Sequence, residues 1–393
     1  MRIGVVGGAL QGMESVYLAR KAGYSTLVLD RWEDAPALSL ADETLVVDVV
    51  RDPAKTKNAL GDCDAILPAN ENYQALTAVV SMAEELGIPL LFDLNAYEIS
   101  QSKIRSNDLF AALDIPMPAK WPGCGFPAIV KPTIGSGSTG VMKVQNEMEM
   151  MHGVENLKNA GLEWVVEEYV HGPNISIEIV GDGTEFVPYV ITEVILDEDY
   201  DCKRVRSPYT YGSDLEEKFA EAAYKVARRL GLRGIMDVEA IVMDGVAKVL
   251  EIDARIPSQT PAAVLNSHGI NLVEQLVKGL VCNDLQVPMI TEHMESVYEH
   301  ICIEGDVMRS CGEGVFASVR SPYIVRGLFG VDEMITDYQP GKCRWVATLM
   351  MSAPTERALM VKREACLERI MEENDIVRYL DLFPEGYFDT SDR

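Results

Sequence analysis

The run from Met236 to Ala254 constrains this chain more than any other. Met236–Met243 and Ala247–Ala254 each alternate apolar and polar residues, and the Asp244-Gly245 pair between them is the dipeptide a tight hairpin turn favours. Successive strand side chains point to opposite faces. Glu251, Asp253 and Arg255 therefore share one face, with Leu250, Ile252 and Ala254 on the other; in the partner run, Asp237 and Glu239 oppose Val238 and Ala240. If the two polar faces coincide across the hairpin, four carboxylates and one arginine converge. A solvated sheet face with a salt bridge would mix its acids with Lys, Thr and Ser. Like charges placed side by side are unfavourable unless a cation joins them. Hard divalent ions take carboxylate oxygens, and Mg²⁺ typically uses one or two carboxylates plus substrate phosphates. The spacing therefore predicts a metal-binding hairpin.

The surrounding chain predicts an α/β protein. Over residues 1–97, strands at Arg2–Val6, Ser25–Asp30, Glu43–Val50, Ala65–Pro68 and Pro89–Phe92 alternate with helices at Gly12–Ala22 and Asn72–Leu86. That alternation predicts a doubly wound parallel sheet, with ligands at the carboxyl ends of its strands. A helix at Lys103–Leu113 and a Pro/Gly-rich stretch lead to strands at Ala128–Lys131 and Val141–Val144, a helix near Glu147–Ala160, and strands at Trp164–Tyr169, Ile175–Val180 and Thr184–Leu196. Leu215–Leu230 reads as an amphipathic helix and 262–280 as helical; from about 290 strand and loop mix until a helix at 355–374. Three domains are expected: 1–97, doubly wound α/β; 98–292, α+β, with a lid at about 126–180; and a smaller mixed domain at 293–393.

Composition narrows the function. The 393 residues hold 35 Lys+Arg against 61 Asp+Glu, a net charge of −26. Such a surface repels phosphate backbones and anionic lipid, so neither nucleic acid nor membrane is an expected partner. No apolar run is long enough to span a bilayer, and Met1–Gly7 reads as a strand entering glycines, not as a signal peptide. The eight cysteines form no CxxC pair and the five histidines no HExxH cluster. Buried neutral thiols in a reducing cytoplasm are expected, not zinc or disulfides.

Two further segments carry chemistry. Ile134–Gly140 sets three glycines and three hydroxyl residues just after Val130-Lys131-Pro132. Glycine lets backbone approach an oxyanion closely, and N–H groups with hydroxyls can cradle phosphate; a flexible hairpin is the plainer reading. It is not a P-loop, because the lysine precedes the glycines. In Val166–Gly172, a strand carrying acids ends at a glycine and can offer backbone groups to a planar base.

The order of these parts resembles the ATP-grasp superfamily: Lys103, Lys131 with its glycine loop, Glu167-Glu168-Tyr169-Val170, Glu239, then Glu251-x-Asp253-x-Arg255. The segments Gly7–Gly12, Gln101–Arg105 and Glu251–Pro261 are similar to the branch that joins 3-methyl-D-ornithine to the side-chain amine of L-lysine in pyrrolysine biosynthesis. The resemblance implies that Lys103 and Lys131 contact ATP phosphates, that the loop with Ser136, Gly137, Ser138 and Gly140 closes over them, and that Glu167, Glu168, Tyr169 and Val170 form the adenine hinge. Glu239, Glu251 and Asp253 would hold two Mg²⁺, and Arg255, with Lys131, would stabilise the transferring phosphoryl group. Two positions depart from the pattern: Asp253 stands where Asn is usual, and Asn174 where an acid often binds ribose.

The amino-acid substrates need further contacts. Leu10, Gln11 and Glu71 lie in loops after parallel strands and suit the alpha groups of lysine, at a distance from the metal strands. Ser176, Glu178 and Asp237 suit the ammonium groups of the diamino-acid donor, and Ser258 and Thr260 its carboxylate. An exposed edge-strand face is the alternative for Ser176, a helix-terminal acid for Glu71. His268 is left without a role. Gly7, Gly8 and Gly12, with Asp30 ending the next strand, also suggest a dinucleotide turn, so a nicotinamide-dependent oxidoreductase remains a competing reading. Another ATP-grasp ligase or carboxylase is the nearer alternative, and a homodimer is left open.

Overall fold

The computed structural model describes residues 1–135, 140–288 and 293–384. Ser136, Gly137 and Ser138, expected over the phosphates, lie outside the described residues.

Four parallel strands open the chain: β1 (Arg2–Val6), β2 (Ser25–Asp30), β3 (Glu43–Val46) and β4 (Ala65–Pro68), in the order β3-β2-β1-β4. Helices α1 (Leu10–Lys21), α2 (Pro53–Leu60) and α3 (Tyr73–Leu86) connect and cover them. Asn72 caps α3 by accepting from Ala75 N–H. Two strand expectations shorten. Glu43–Val50 pairs only as far as Val46, and Pro89–Phe92 reduces to a single bridge between Leu90 and Ile66. Apolar runs at a sheet margin satisfy burial without extending the ladder.

After α4 (Leu94–Ser100) and α5 (Lys103–Ala112) comes a separate three-stranded antiparallel sheet. It is built from β5 (Ala128–Pro132), β6 (Met142–Val144) and β7 (Trp164–Glu168), with α6 (Glu147–Asn159) packed on it. The chain then enters the large sheet through β8 (Asn174–Asp182), β9 (Phe186–Leu196) and β10 (Cys202–Ser207). It continues, after α7 (Ser213–Leu230), through β11 (Arg233–Met243) and β12 (Val246–Asp253).

The helical stretch at 262–280 is two helices. Gly269, left-handed at φ 68°, ends α8 (Thr260–His268), and Asn271 caps α9 (Leu272–Leu280). The rest of the large sheet is β13 (Glu295–Glu304), β14 (Val307–Ser310), β15 (Tyr323–Arg326), β16 (Glu333–Thr336) and β17 (Arg344–Ala353), then α10 (Glu356–Glu373) and β18 (Arg378–Asp381). β10 pairs with β13, so the sheet runs unbroken as β12-β11-β8-β9-β10-β13-β17-β16-β15, with β14 and β18 at its side. One apolar core joins Val5 and Val16 to Val264, Leu272, Tyr298 and Met350. The amino-terminal sheet, α8, α9 and the carboxy-terminal strands are therefore locked around the same interior.

Candidate active site

The hairpin registers as its alternation predicts. Asp237 faces Asp253 and Glu239 faces Glu251 across β11 and β12, while Glu178 and Ser176 of β8 face Asp237 and Glu239 from the other side. Six polar side chains thus share one face of three adjacent strands. Ile175, Ile177, Ile179, Val238 and Ile252 fill the core behind them. β8 lies between β11 and β9, so the edge-strand reading of Ser176 fails: Ser176 is 1% and Glu178 0% exposed.

This face borders a cavity of about 610 Å³. Asp237, Glu239, Glu251, Asp253 and Arg255 line it; Ser176 and Glu178 lie buried beneath that lining. The opposite wall brings Lys131 from β5 and Glu167 from β7, which form a buried ion pair. Glu168, Tyr169 and Val170, expected as the hinge, also line it, and so does Asn174. The Glu168 carboxylate turns to Lys248 (2.6 Å) and Ala119 N–H, and the Tyr169 ring lies 3.9 Å from the Lys143 ammonium. Gly172, just past Val170, stands at φ 153°, where a Cβ would come 1.9 Å from the Val242 carbonyl oxygen; only glycine fits there. Gly140 is described but does not line the cavity.

Cations already engage part of the acid face. Lys103, at the start of α5, bonds Glu251 at 2.6 Å and the Gly135 carbonyl at 3.2 Å. Arg255 bonds Asp253 at 3.0 Å, reaches Glu71 at 3.1 Å and stands 4.0 Å from Asp237. Gln11 also donates to Glu71. The sequence places Glu71 in a loop at a distance from the hairpin strands. It meets the same guanidinium as Asp237 instead, because the carboxyl ends of β1 and β4 open onto the hairpin. Leu10, Ser258 and Thr260 line the cavity with them.

Burial and like charge act together here. Burial, then the charges of Glu251 and Asp253, push the Glu239 carboxyl up to about 8. Burial, opposed by Arg255, pushes Asp253 up to about 6. Asp237 is raised well above the carboxylate range, chiefly by burial. Glu178 is pushed up to about 7 by burial, which outweighs its contact with Thr260, and no cation pairs with it among the described residues. Burial also raises Glu251, but Lys103 and Lys131 outweigh it and hold that carboxyl low.

Among the described residues no three His, Cys, Asp or Glu side chains form a ready-made metal cage. The acids stand as cross-strand pairs. Pairs of buried, under-compensated carboxylate oxygens fit Mg²⁺ completed by phosphate oxygens, and they do not suit a metal that needs nitrogen or sulfur ligands.

The glycines of the first loop are spent on packing. Gly7, at φ 118°, would place a Cβ 2.2 Å from the Ala69 carbonyl oxygen. Asp30, which a dinucleotide ribose would need, accepts from Gly8 N–H at 2.7 Å and Trp32 N–H at 2.8 Å. Two cavity residues are given no role by the sequence, although Gln259 lies within the Glu251–Pro261 segment. Gln259 sits at φ 77° just before α8, a conformation that local sequence does not announce, and Glu313 arrives from the carboxy-terminal part without a motif.

The fold and the site together define an ATP-grasp protein: residues 100–259 match the family model described as an ATP-grasp domain. Among solved structures, the chain is similar to the biotin carboxylase domain of Hydrogenobacter thermophilus 2-oxoglutarate carboxylase with MgADP and bicarbonate (TM-score 0.73, 16% identity, 93% of this chain and 89% of that one). It is also similar to an ADP complex of N5-carboxyaminoimidazole ribonucleotide synthetase (TM-score 0.69, 18% identity, 95% and 97%). In sequence it is 39% identical to the 3-methyl-D-ornithine–L-lysine ligase of Methanosarcina acetivorans, over 80% of this chain and 83% of that protein. It is 38% identical to the ligase of the same name from Methanosarcina mazei, over 80% and 81%. The chain belongs to this family of ATP-grasp ligases. No helix among the described residues is long and apolar enough to cross a membrane.

Proposed function

We propose that the chain joins 3-methyl-D-ornithine to the side-chain amine of L-lysine, converting ATP to ADP and phosphate. The observation that carries this reading is the register that sets Asp237, Glu239, Glu251 and Asp253 on one cavity face, opposite Lys131 and beside Lys103 and Arg255.

A carboxylate is a poor acyl donor because oxide would have to leave. Transfer of the γ-phosphoryl group to a carboxylate oxygen of the donor releases ADP and gives an acyl phosphate. Lys103, Lys131 and Arg255 offset the negative charge on the transferring group, which is the main help a protein gives this step. Glu239, Glu251 and Asp253 would hold Mg²⁺, two ions in our reading, and bound Mg²⁺ adds to the same neutralisation. The lysine side-chain amine, in its neutral form, then attacks the acyl carbon. Phosphate leaves, and the amine proton passes to a nearby carboxylate or to solvent. Gln11 and Glu71 hold the alpha groups of lysine; Asp237, Glu178, Ser176, Ser258 and Thr260 surround the donor. The hinge Glu167–Val170 takes adenine. The eight cysteines are free thiols, which suits a reducing cytoplasm.

Incubation with ATP, Mg²⁺ and both amino acids tests the reading. Mass spectrometry is expected to find one product equal to the sum of the two less one water, with the amide on the lysine side chain. ADP release without that product overturns it.

A further inference from the structure

The final strand returns the chain to the cavity. β18 pairs in parallel with β14, from Arg378 on Val307 to Asp381 on Ser310, and Pro384 then lines the same cavity as Tyr200, Asp201 and Cys202. One side chain holds it there. Lys203 of β10 is 0% exposed, and its ammonium meets three consecutive residues: the Asp381 carboxylate at 2.6 Å, the Leu382 carbonyl oxygen at 2.6 Å and the centre of the Phe383 ring at 3.4 Å. The other Asp381 oxygen accepts from Arg204 at 2.7 Å. A buried ammonium is costly unless it is paired and hydrogen-bonded, so Lys203 ties the burial of β10 to the seating of this segment.

The strand register says which end of the cavity this is. Asp237 with Glu178, and Glu239 with Ser176, form the acid rows. The next row on the same face is Ile241, Asn174 and Val194, and one row farther Leu196 faces Cys202. The chain enters β8 from Glu167–Val170, so those residues lie at the same end as this last row, away from Asp237 and Asp253. Val194, Leu196, Ile241 and Pro384 make the lining there apolar. The acid beside Cys202 is already engaged: Asp201 accepts from Gly314 N–H at 2.9 Å, as Asp197 does from Gly312 N–H at 2.7 Å, and the two clamp the backbone on both sides of Glu313. An apolar wall with few polar groups suits an uncharged base and ribose better than the charged ends of an amino acid.

We propose that Asp381–Pro384 is a wall of the nucleotide site, with Pro384 against the adenosine half of ATP. The assignment rests on the reading of Glu167–Val170 as the adenine hinge. The hinge leans on β12, where Lys248 donates to Glu168 at 2.6 Å; Lys203 stands on β10, beyond β8 and β9. The two sides enclose the base and ribose between them. The family match ends at residue 259, so this wall comes from outside it. A segment already seated by a buried anchor costs no ordering when ATP arrives, which favours affinity.

Pro384→Cys, modified with N-ethylmaleimide and read by mass spectrometry of the peptide that carries it, tests the wall. MgADP at about a hundred times its Kd leaves about 1% of the sites open. The introduced thiol should then react at least about 10-fold more slowly, while the diamino acid or lysine alone changes its rate less than about twofold. The adduct should in turn weaken ADP binding about 10–100-fold, the scale of overpacking a filled site. Leu382→Cys, at a position 43% exposed, is the control, and its rate should not respond to ADP. ADP that binds by equilibrium dialysis yet leaves the thiol at position 384 as reactive as before overturns the assignment. So does protection by the amino acids alone, or equal protection at both positions. The hinge reading fails separately, if amide exchange over 166–170 in the unsubstituted protein is unchanged by bound ADP, so the two failures are distinct.

Discussion

One sheet carries two clusters of buried charge, and they behave in opposite ways. At the carboxy-terminal end Glu299 is 0% exposed. Arg363 bonds both of its oxygens, Arg204 bonds one at 2.6 Å, and Ser310 and Tyr379 add hydroxyls. Asp381 completes the cluster with Arg204 and the buried Lys203. Burial alone would raise the Glu299 carboxyl, but the two guanidiniums win and hold it well below the usual range. Across β10, β9 and β8 the same depth of burial has the other outcome. Glu178 is equally enclosed, has no cation paired to it among the described residues, and rises to about 7. A buried charge whose partners all come from the chain is part of the architecture. One that the chain leaves short marks a place for a ligand.

The sharpest way to break this contrast is to neutralise one acid in each cluster. Glu251→Gln should lower ADP formation by about 100–1,000-fold, the scale of losing a preorganised charge at a reacting centre, while melting moves little. Assays of ADP release alongside thermal unfolding check it; activity within a few-fold of wild type would take Glu251 out of the site. Glu299→Gln should do the reverse. It leaves guanidiniums buried without full compensation, at a cost of about 3–5 kcal/mol in denaturant unfolding, with KM for ATP unchanged in the folded fraction. If Glu299→Gln instead impaired turnover and left stability alone, the two regions would not differ as argued.

The pH dependence should differ as well. Glu14, which caps α8 through Ala262 N–H, is raised to about 8 by burial, as is Glu239; Glu178 is raised to about 7. Folded protein thus keeps protons that the unfolded chain gives up near the ordinary value of 4.5. Their contribution to stability is full below that value and is lost as pH rises through about 7–8. Glu299, held low, contributes above the ordinary range and loses its contribution in acid. Nucleotide-free protein should therefore melt a few degrees lower at pH 8.5 than at pH 6, on the order of a 1 kcal/mol change. Glu239→Gln should flatten that slope. A melting temperature that rises over the interval would contradict it.

The acid face was legible because a strand's period of two is written in the residues, and the Asp-Gly turn fixed which positions oppose. The amino-terminal alternation was legible for the same reason. What stayed hidden depended on distant partners. The sequence assigns no element to β10 (Cys-Lys-Arg-Val-Arg-Ser), and it is a central strand because Lys203, Arg204 and Arg206 find acids on β18, β13 and β9. The unbroken run of the large sheet into the carboxy-terminal strands follows from that missed strand, since β10 is the one that pairs with β13. Glu313 reaches the cavity only through the clamps from Asp197 and Asp201, and no local pattern encodes them. His268, left without a role, stacks on His293 and is pushed down to about 4, first by burial.

The central claim is that the acid face activates the diamino-acid carboxylate as an acyl phosphate for attack by lysine. Donor labelled with ¹⁸O in its carboxylate, turned over with ATP, Mg²⁺ and unlabelled lysine, tests this directly. One labelled oxygen must leave with the phosphate, so mass spectrometry of the released phosphate should show a single ¹⁸O per turnover, and labelled lysine carboxylate should transfer none. Unlabelled phosphate from the labelled donor, or label arriving from lysine, would contradict the account.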